Sequence, residues 1–185
     1  YLKNLEVPEG KIDVVLDTDA YNEIDDQFAI SYMLRSDDKL NVKAIYAAPF
    51  YNTNSSSPED GMVKSYDEIL KILELADRTD LSDSVYYGST HYLENEQTPV
   101  ISDAAKHLAA LAKNYSPEKP LYVIAIAAIT NVASAILLDK TIAENIVIVW
   151  LTGTSRECPS AKEFNLMQDI AGARVVFSCG APIVQ

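Results

Sequence analysis

Short, almost continuous apolar runs rich in β-branched residues alternate along this chain with longer segments whose apolar residues recur at helical spacing. Leu121–Ala127 and Asn145–Leu151 (NIVIVWL) are the strongest of these runs. A strand that is apolar on both faces needs cover on both sides, so such runs belong to a parallel sheet between helices. The spacing predicts strands at Lys11–Leu16, Asn41–Ala48, Ser84–Tyr87, Leu121–Ala127 and Asn145–Leu151, with a further strand beginning at Pro182–Val184. It predicts helices at Glu23–Arg35, Met62–Ala76, Asp103–Lys113, Asn131–Leu138 and Gln168–Phe177. In the first helix, Ile24, Phe28, Met33 and Leu34 are expected on or near one buried face, with Asn22 as N-cap; Ser102 is expected to cap the third. The fold class is therefore α/β, a mostly parallel central sheet with helices on both faces.

A chain of 185 residues has the size of one domain and can bury a sizeable core. It contains no internal repeat. Its longest apolar run, Leu121–Ile129, is far shorter than the ~20 residues a spanning helix needs, so no membrane association is expected. A formal net charge of −12 repels phosphates and argues against nucleic-acid binding. Six glycines offer no Gly-rich phosphate cradle, and no nucleophile-elbow serine is present. Cys158 and Cys179 supply neither a disulfide framework nor a zinc cluster. One bridge between them is compatible with the count, and free thiols are the expected state. The chain opens with Tyr1, which reads as a processed, trimmed or engineered start. The compartment stays open, with a cytoplasmic location slightly favoured over a processed secreted one.

The feature that points to chemistry is Asp17-Thr18-Asp19, followed closely by Asp25-Asp26. Asp17 and Asp19 end the first strand on one side by the period of two, and Asp25 and Asp26 open the next helix. Taken singly, these are a strand-end acid and ordinary first-turn acids. Taken together, four carboxylates this close repel one another unless something positive sits among them. The helix N-terminus supplies part of that charge, and a hard divalent cation supplies more. An EF-hand loop beginning at Asp17 would need Gly at position 22 and Glu at position 28, where the chain has Asn22 and Phe28. A magnesium-dependent phosphatase of the haloacid-dehalogenase type would use Asp17 as nucleophile, but Tyr21 stands where that pattern has Thr or Val.

The segment Asp13–Ile30 (DVVLDTDAYNEIDDQFAI) resembles the opening of the inosine-uridine-type nucleoside hydrolases. That opening is an apolar strand, Asp-x-Asp-Pro-Gly-x-Asp-Asp and a helix. Here Ala20–Ile24 (AYNEI) replaces Pro-Gly-x, a turn two residues longer, and all the acids remain. Ala47–Asn52 (AAPFYN) resembles the family's second strand with its Asn near the ribose. Ala128–Asn131 (AITN) resembles Leu-Thr-Asn, and Lys162–Asn165 (KEFN) with Asp169 resembles Glu-Phe-Asn…Asp.

The resemblance implies a single nucleoside-hydrolase-like, Rossmann-like α/β domain over 1–185, incomplete at its C-terminus. It implies hydrolysis of the N-glycosidic bond of ribonucleosides to free base and ribose, and a place in purine or pyrimidine salvage. It implies Ca²⁺ held by Asp19, Asp26 and the Thr130 carbonyl, with a calcium-activated water as nucleophile and Asp19 taking its proton. Asp25, Asn52, Glu163 and Asn165 would bind the substrate's ribose hydroxyls, with Asp17, Asn22 and Asp169 in support. Homo-oligomerisation is implied as well. The expected partner is a small nucleoside.

The family's late Asp-His pair has no counterpart before Gln185, and Leu151–Thr154 (LTGT) stands where the family tends to carry Gly-Gly. The alternative reading is therefore a non-catalytic or truncated member that binds ribose or nucleoside without turnover. His107 reads as a packed helical residue, His91 as an ambiguous loop residue, and Trp150 as core. Tyr21 and Tyr51 flank the acids as candidate pocket walls. Nucleobase preference is not encoded in these motifs.

Overall fold

The computed structural model describes residues 2–160 and 162–185, so Tyr1 lies outside the described residues. Six strands form one sheet: β1 (Ile12–Thr18), β2 (Leu40–Ala47), β3 (Val85–Tyr86), β4 (Leu121–Ala125), β5 (Ile146–Trp150) and β6 (Ile183–Val184). Their order is β3-β2-β1-β4-β5-β6, and every described pairing is parallel. The strands at the two edges, β3 and β6, are each two residues long among the described residues.

The helices are α1 (Ile24–Leu34), α2 (Pro58–Leu75), α3 (Asp103–Leu111), α4 (Thr130–Leu138), α5 (Phe164–Gln168) and α6 (Ile170–Ser178). Alternation along β1 divides the core. Val14 and Leu16 pack with Ile30, Met33, Ile69 and Leu73 of α1 and α2. Val15 faces the opposite layer, where Val123, Ile148 and Trp150 meet Leu108, Val132, Ile136 and Val176 of α3, α4 and α6. Each fully buried side chain of this kind contributes about 1.5–3 kcal/mol. The sheet is thus covered on both faces, as its apolar strands require. Cys158 and Cys179 are free thiols.

Several local expectations are corrected. Helix α1 buries Ile30, Met33 and Leu34 but leaves Ile24 and Phe28 67% and 68% exposed. At 100° per residue, Ile24 and Phe28 lie across the helix from Met33, so they cannot share its face. The N-cap is Glu23, without a side-chain cap bond, because Asn22 is used elsewhere. Helix α2 starts at Pro58, four residues before the expected Met62; the Ser57 hydroxyl accepts from the Asp60 N–H at 3.1 Å, and Pro58 suits the first turn. Ser102 caps α3 as expected, accepting from the Ala105 N–H. The helix expected at Gln168–Phe177 is α6, which starts two residues later, where the Asp169 carboxylate accepts from the Gly172 N–H; the short α5 ahead of it was not expected.

The strand order reverses direction of growth between β1 and β4. In such sheets the crevice outside the carboxyl ends at that point is the ligand site. Asp17 is in register with Ala125 on one side and Tyr46 on the other. The acids therefore stand at the switch point itself.

Gly88, just past β3, lies tight against the end of β2 and the Asn131 side chain. A Cβ there would lie 1.8 Å from the Ala47 carbonyl oxygen and 2.6 Å from Asn131 Nδ2. Gly88→Ala is expected to cost roughly 2–4 kcal/mol of unfolding free energy in urea titrations, and a cost near zero would show that the approach is looser than described.

Candidate functional site

Strand β1 delivers Asp17 and Thr18 into the molecule, and Asp19 follows at once. All three are buried, and Asp26 on the inward face of α1 joins them. Asp25, its neighbour 100° around the helix, is exposed. The Thr18 hydroxyl donates to Asp26 Oδ1. The turn after β1 is closed by the Asn22 N–H donating to the Asp19 carbonyl at 2.7 Å, and Asn22 Nδ2 donates to Asp19 Oδ2 at 3.1 Å. Asn22 Oδ1 in turn accepts from Asn52 Nδ2 at 2.6 Å. This amide pair binds the loop after β1 to the loop after β2.

Asn131, the second residue of α4, is the hub behind the acids. Its Nδ2 donates to Asp17 Oδ1 at 2.8 Å and to the Ala47 carbonyl at 3.2 Å. Its Oδ1 accepts from the Ser89 N–H and hydroxyl at 2.7 and 2.8 Å. One side chain thereby joins β1, β2, α4 and the segment after β3. Asp17 Oδ2 is buried and has no hydrogen-bond partner among the described residues.

Charge makes this arrangement unusual. None of the ion pairs among the described residues involves Asp17, Asp19 or Asp26. Burial pushes the Asp17 carboxyl up to about 7, against the Asn131 hydrogen bond, with repulsion from Asp26 adding to the rise. Burial also raises Asp26 to about 7, opposed by the Thr18 hydrogen bond and reinforced by Asp25 and Glu23. Asp19 is held well above the usual carboxylate range by burial and then by Asp26. Three acids sharing low-dielectric space without a counter-charge are stabilised by protons or by a cation.

The oxygen types gathered at this end of the sheet are those a hard cation takes. They are the carboxylates of Asp19 and Asp26, the orphaned Asp17 oxygen, and Thr130 at the start of α4, the helix that follows β4. No three His, Cys, Asp or Glu side chains converge as a ready-made metal cluster among the described residues. The Thr130 hydroxyl donates to Asp169 Oδ2 at 2.6 Å, which also accepts from the Leu93 N–H at 3.1 Å. Asp169 thus anchors the start of α4, the start of α6 and the segment after β3.

Glu163 and Asn165 lie at the same end of the sheet, on the β4–β5 side. Glu163 caps α5, accepting from the Asn165 and Leu166 N–H groups at 2.8 and 2.9 Å, and from the Gly153 N–H at 3.0 Å. Asn165 Nδ2 donates to the Ile126 and Leu151 carbonyls at 3.2 and 3.1 Å. Both side chains are engaged with the chain's own backbone. The structure therefore joins Asp19, Asn22 and Asn52 in one hydrogen-bonded chain, ties Asp26 to Thr18 and Asp17 to Asn131, and leaves Asp25 exposed on α1. Thr130 with Asp169, and Glu163 with Asn165, form two further groups.

Trp150 is core, its indole N–H donating to the Ala127 carbonyl at 3.0 Å. His107 packs on Tyr86 and is 2.9 Å from the Tyr46 hydroxyl, and His91 is exposed. Tyr21 and Tyr51 are exposed at the loops after β1 and β2. Sequence reasoning gave no role to Thr18, Ser89, Asn131 or Gln168. An Asn directly after an apolar strand-and-turn run was the available signal for Asn131.

Comparison with known proteins follows the same lines. The profile of the family described as inosine-uridine preferring nucleoside hydrolase matches residues 14–185. A plant nucleoside hydrolase structure is similar at 26% identity and TM-score 0.69, over 93% of this chain and 58% of that one. A purine-preferring ribonucleoside hydrolase from Gardnerella vaginalis is similar at 22% identity and TM-score 0.70, over 92% of this chain and 59% of that one. An inosine-guanosine nucleoside hydrolase is similar at 21% identity and TM-score 0.68, over 93% of this chain and 57% of that one. The chain thus spans between 57% and 59% of the length of these solved structures. No curated protein matches it.

The buried acids make stability depend on pH in a definite direction. Folded Asp17 and Asp26 keep their protons up to about 7, whereas the unfolded chain releases them near pH ~4. Between these values the folded state binds more protons, so its stability falls as pH rises. In EDTA the melting temperature is expected to drop by several degrees from pH 5 to pH 7.5. Asp17→Asn should flatten that slope. A metal-free melting temperature that rises over this interval would contradict the assignment.

Proposed function

The chain belongs to the inosine-uridine preferring nucleoside hydrolase family, and on that premise we propose that its acidic crevice serves hydrolysis of the N-glycosidic bond of a ribonucleoside. The products are the free base and ribose. The observation that carries this reading is the trio of buried carboxylates at the switch point, with no basic side chain paired to them.

Asp19, Asp26 and the Thr130 carbonyl would hold Ca²⁺. Bound there, the ion would lower the pKa of a water and orient it for attack on the sugar's anomeric carbon. Asp19 accepts the proton that the water gives up, a role suited to a carboxylate whose basicity burial has raised. Asp25 is exposed beside the trio, and Asn52 is tied to it through Asn22. Both supply polar groups to ribose hydroxyls. Glu163 and Asn165 would join them from the β4–β5 side by releasing backbone bonds they now make. Asp17 keeps the acids in position from behind, held by Asn131. Loss of the base leaves the ribose ring with oxocarbenium-like positive charge, which clustered carboxylates stabilise. The substrate is a small nucleoside, and the assembly a homo-oligomer. No described helix is long and apolar enough to cross a membrane.

A second reading is binding without turnover. The observation that favours it is that Glu163 and Asn165 spend their polar atoms on the chain's own backbone. Calorimetry with Ca²⁺, then with inosine or uridine, together with an assay for released reducing sugar, separates the two. Hydrolysis predicts metal binding and ribose release, with Asp19→Ala lowering the rate by at least ~10²-fold. Nucleoside binding with no release would favour the second reading, and a chain that binds neither metal nor nucleoside would sink both.

A further inference from the structure

Three loops at the carboxyl end of the sheet meet on one side chain, Gln168, the last residue of α5. Its Oε1 accepts from the Tyr51 backbone N–H at 3.1 Å and from the Tyr92 hydroxyl at 2.7 Å. A backbone N–H can only donate, so the atom facing Tyr51 is the amide oxygen, and the orientation of the amide is settled by chemistry. That oxygen has no proton to offer. The Tyr92 hydroxyl therefore directs its single proton at Gln168, shares the Tyr51 backbone N–H as an acceptor, and keeps one lone pair to present elsewhere.

The surroundings of Tyr92 are acidic. The next residue, Leu93, donates its N–H to Asp169 Oδ2 at 3.1 Å, the same oxygen that accepts from Thr130 at 2.6 Å. Burial, followed by the charges of Asp19 and Asp169, holds the phenol proton well above its usual range. A phenol near carboxylates ordinarily gives its proton to one of them. Here Gln168 takes it, although Gln168 Nε2 is itself buried without a partner among the described residues. An orphaned donor costs stability, so a simple loop tie is poorly served by this geometry. Its effect is to leave the acids free and to set a neutral acceptor beside them. Such a group matches a hydroxyl donor, and ribose presents several.

We propose that Tyr92 accepts a hydrogen bond from a ribose hydroxyl in the acidic crevice, and that Gln168 is a positioning residue that acts by holding the Tyr92 proton. This rests on the nucleoside reading above. The test is calorimetric titration of the chain with D-ribose in saturating Ca²⁺. Tyr92→Phe is expected to weaken ribose binding roughly five- to tenfold, with Ca²⁺ affinity and melting temperature little changed. Gln168→Leu should weaken it by a similar factor. The double variant should bind no more weakly than Tyr92→Phe alone, because Gln168 works through the hydroxyl that is already gone. Wild-type affinity in Tyr92→Phe would overturn the role of Tyr92. A double variant weakened by the product of the two factors would overturn the positioning role of Gln168. A wild-type chain that binds Ca²⁺ but shows no affinity for ribose or inosine would overturn the nucleoside reading and this inference with it.

Discussion

Everything at the carboxyl end of the sheet is arranged around three carboxylates that are buried together without a basic partner. Asp17, Asp19 and Asp26 have left water, and their mutual repulsion is not screened there. Polar groups of the chain offset part of this: the Asn131 amide, the Thr18 hydroxyl, the Asn22 amide and the first turn of α1. Each is a neutral dipole, so none removes a charge. A fold relying on burial alone would place apolar residues at these positions and gain stability. What remains to stabilise the acids is protons, as the raised pKa values of Asp17 and Asp26 show, or a cation.

That constraint explains why the surrounding loops are tied so heavily to one another. Asn131 fastens β1, β2 and the segment after β3, and Gly88 lets the backbone come close enough for it to do so. Asn22 and Asn52 join the loops after β1 and β2. Asp169 and Glu163 cap α6 and α5 while also holding strand-end segments. Strand ends are where a parallel sheet stops supplying hydrogen bonds, so backbone donors there need side-chain acceptors. Acidic residues fill that need and strengthen the negative field of the crevice at the same time.

Strands were legible in the sequence because an apolar run buried on both faces has few alternatives. β1, β2, β4 and β5 fall within one or two residues of their expected bounds. The acids were legible because carboxylates this dense need a shared reason. Local roles were harder to read. Ile24 and Phe28 are apolar, but helix geometry turns them to solvent. Asn22 has the chemistry of an N-cap, yet tertiary partners claim it. Asp169 looked like one position inside a helix and is instead where two helices meet. Asn131 and Gln168 act on residues 114 and 117 positions away in the chain, across contacts that no local pattern encodes.

Donor and acceptor inventory narrows what the crevice can hold. Asp19, Asp26 and exposed Asp25 are acceptors when ionised, the free Asp17 oxygen is another, and Tyr92 adds one more because its proton is committed to Gln168. Amide donors near them are largely engaged: Asn22, Asn52 and Asn131 give their side-chain N–H groups to neighbouring oxygens, and Asn165 gives its own to two carbonyls. An anionic ligand such as a phosphate would meet repulsion and few free donors. A cation meets oxygen atoms alone, and a polyol can turn each hydroxyl proton toward a fixed acceptor. The orientation of the amides is therefore as much in keeping with the proposed ligand, a neutral polyol held alongside a cation, as the acids themselves are.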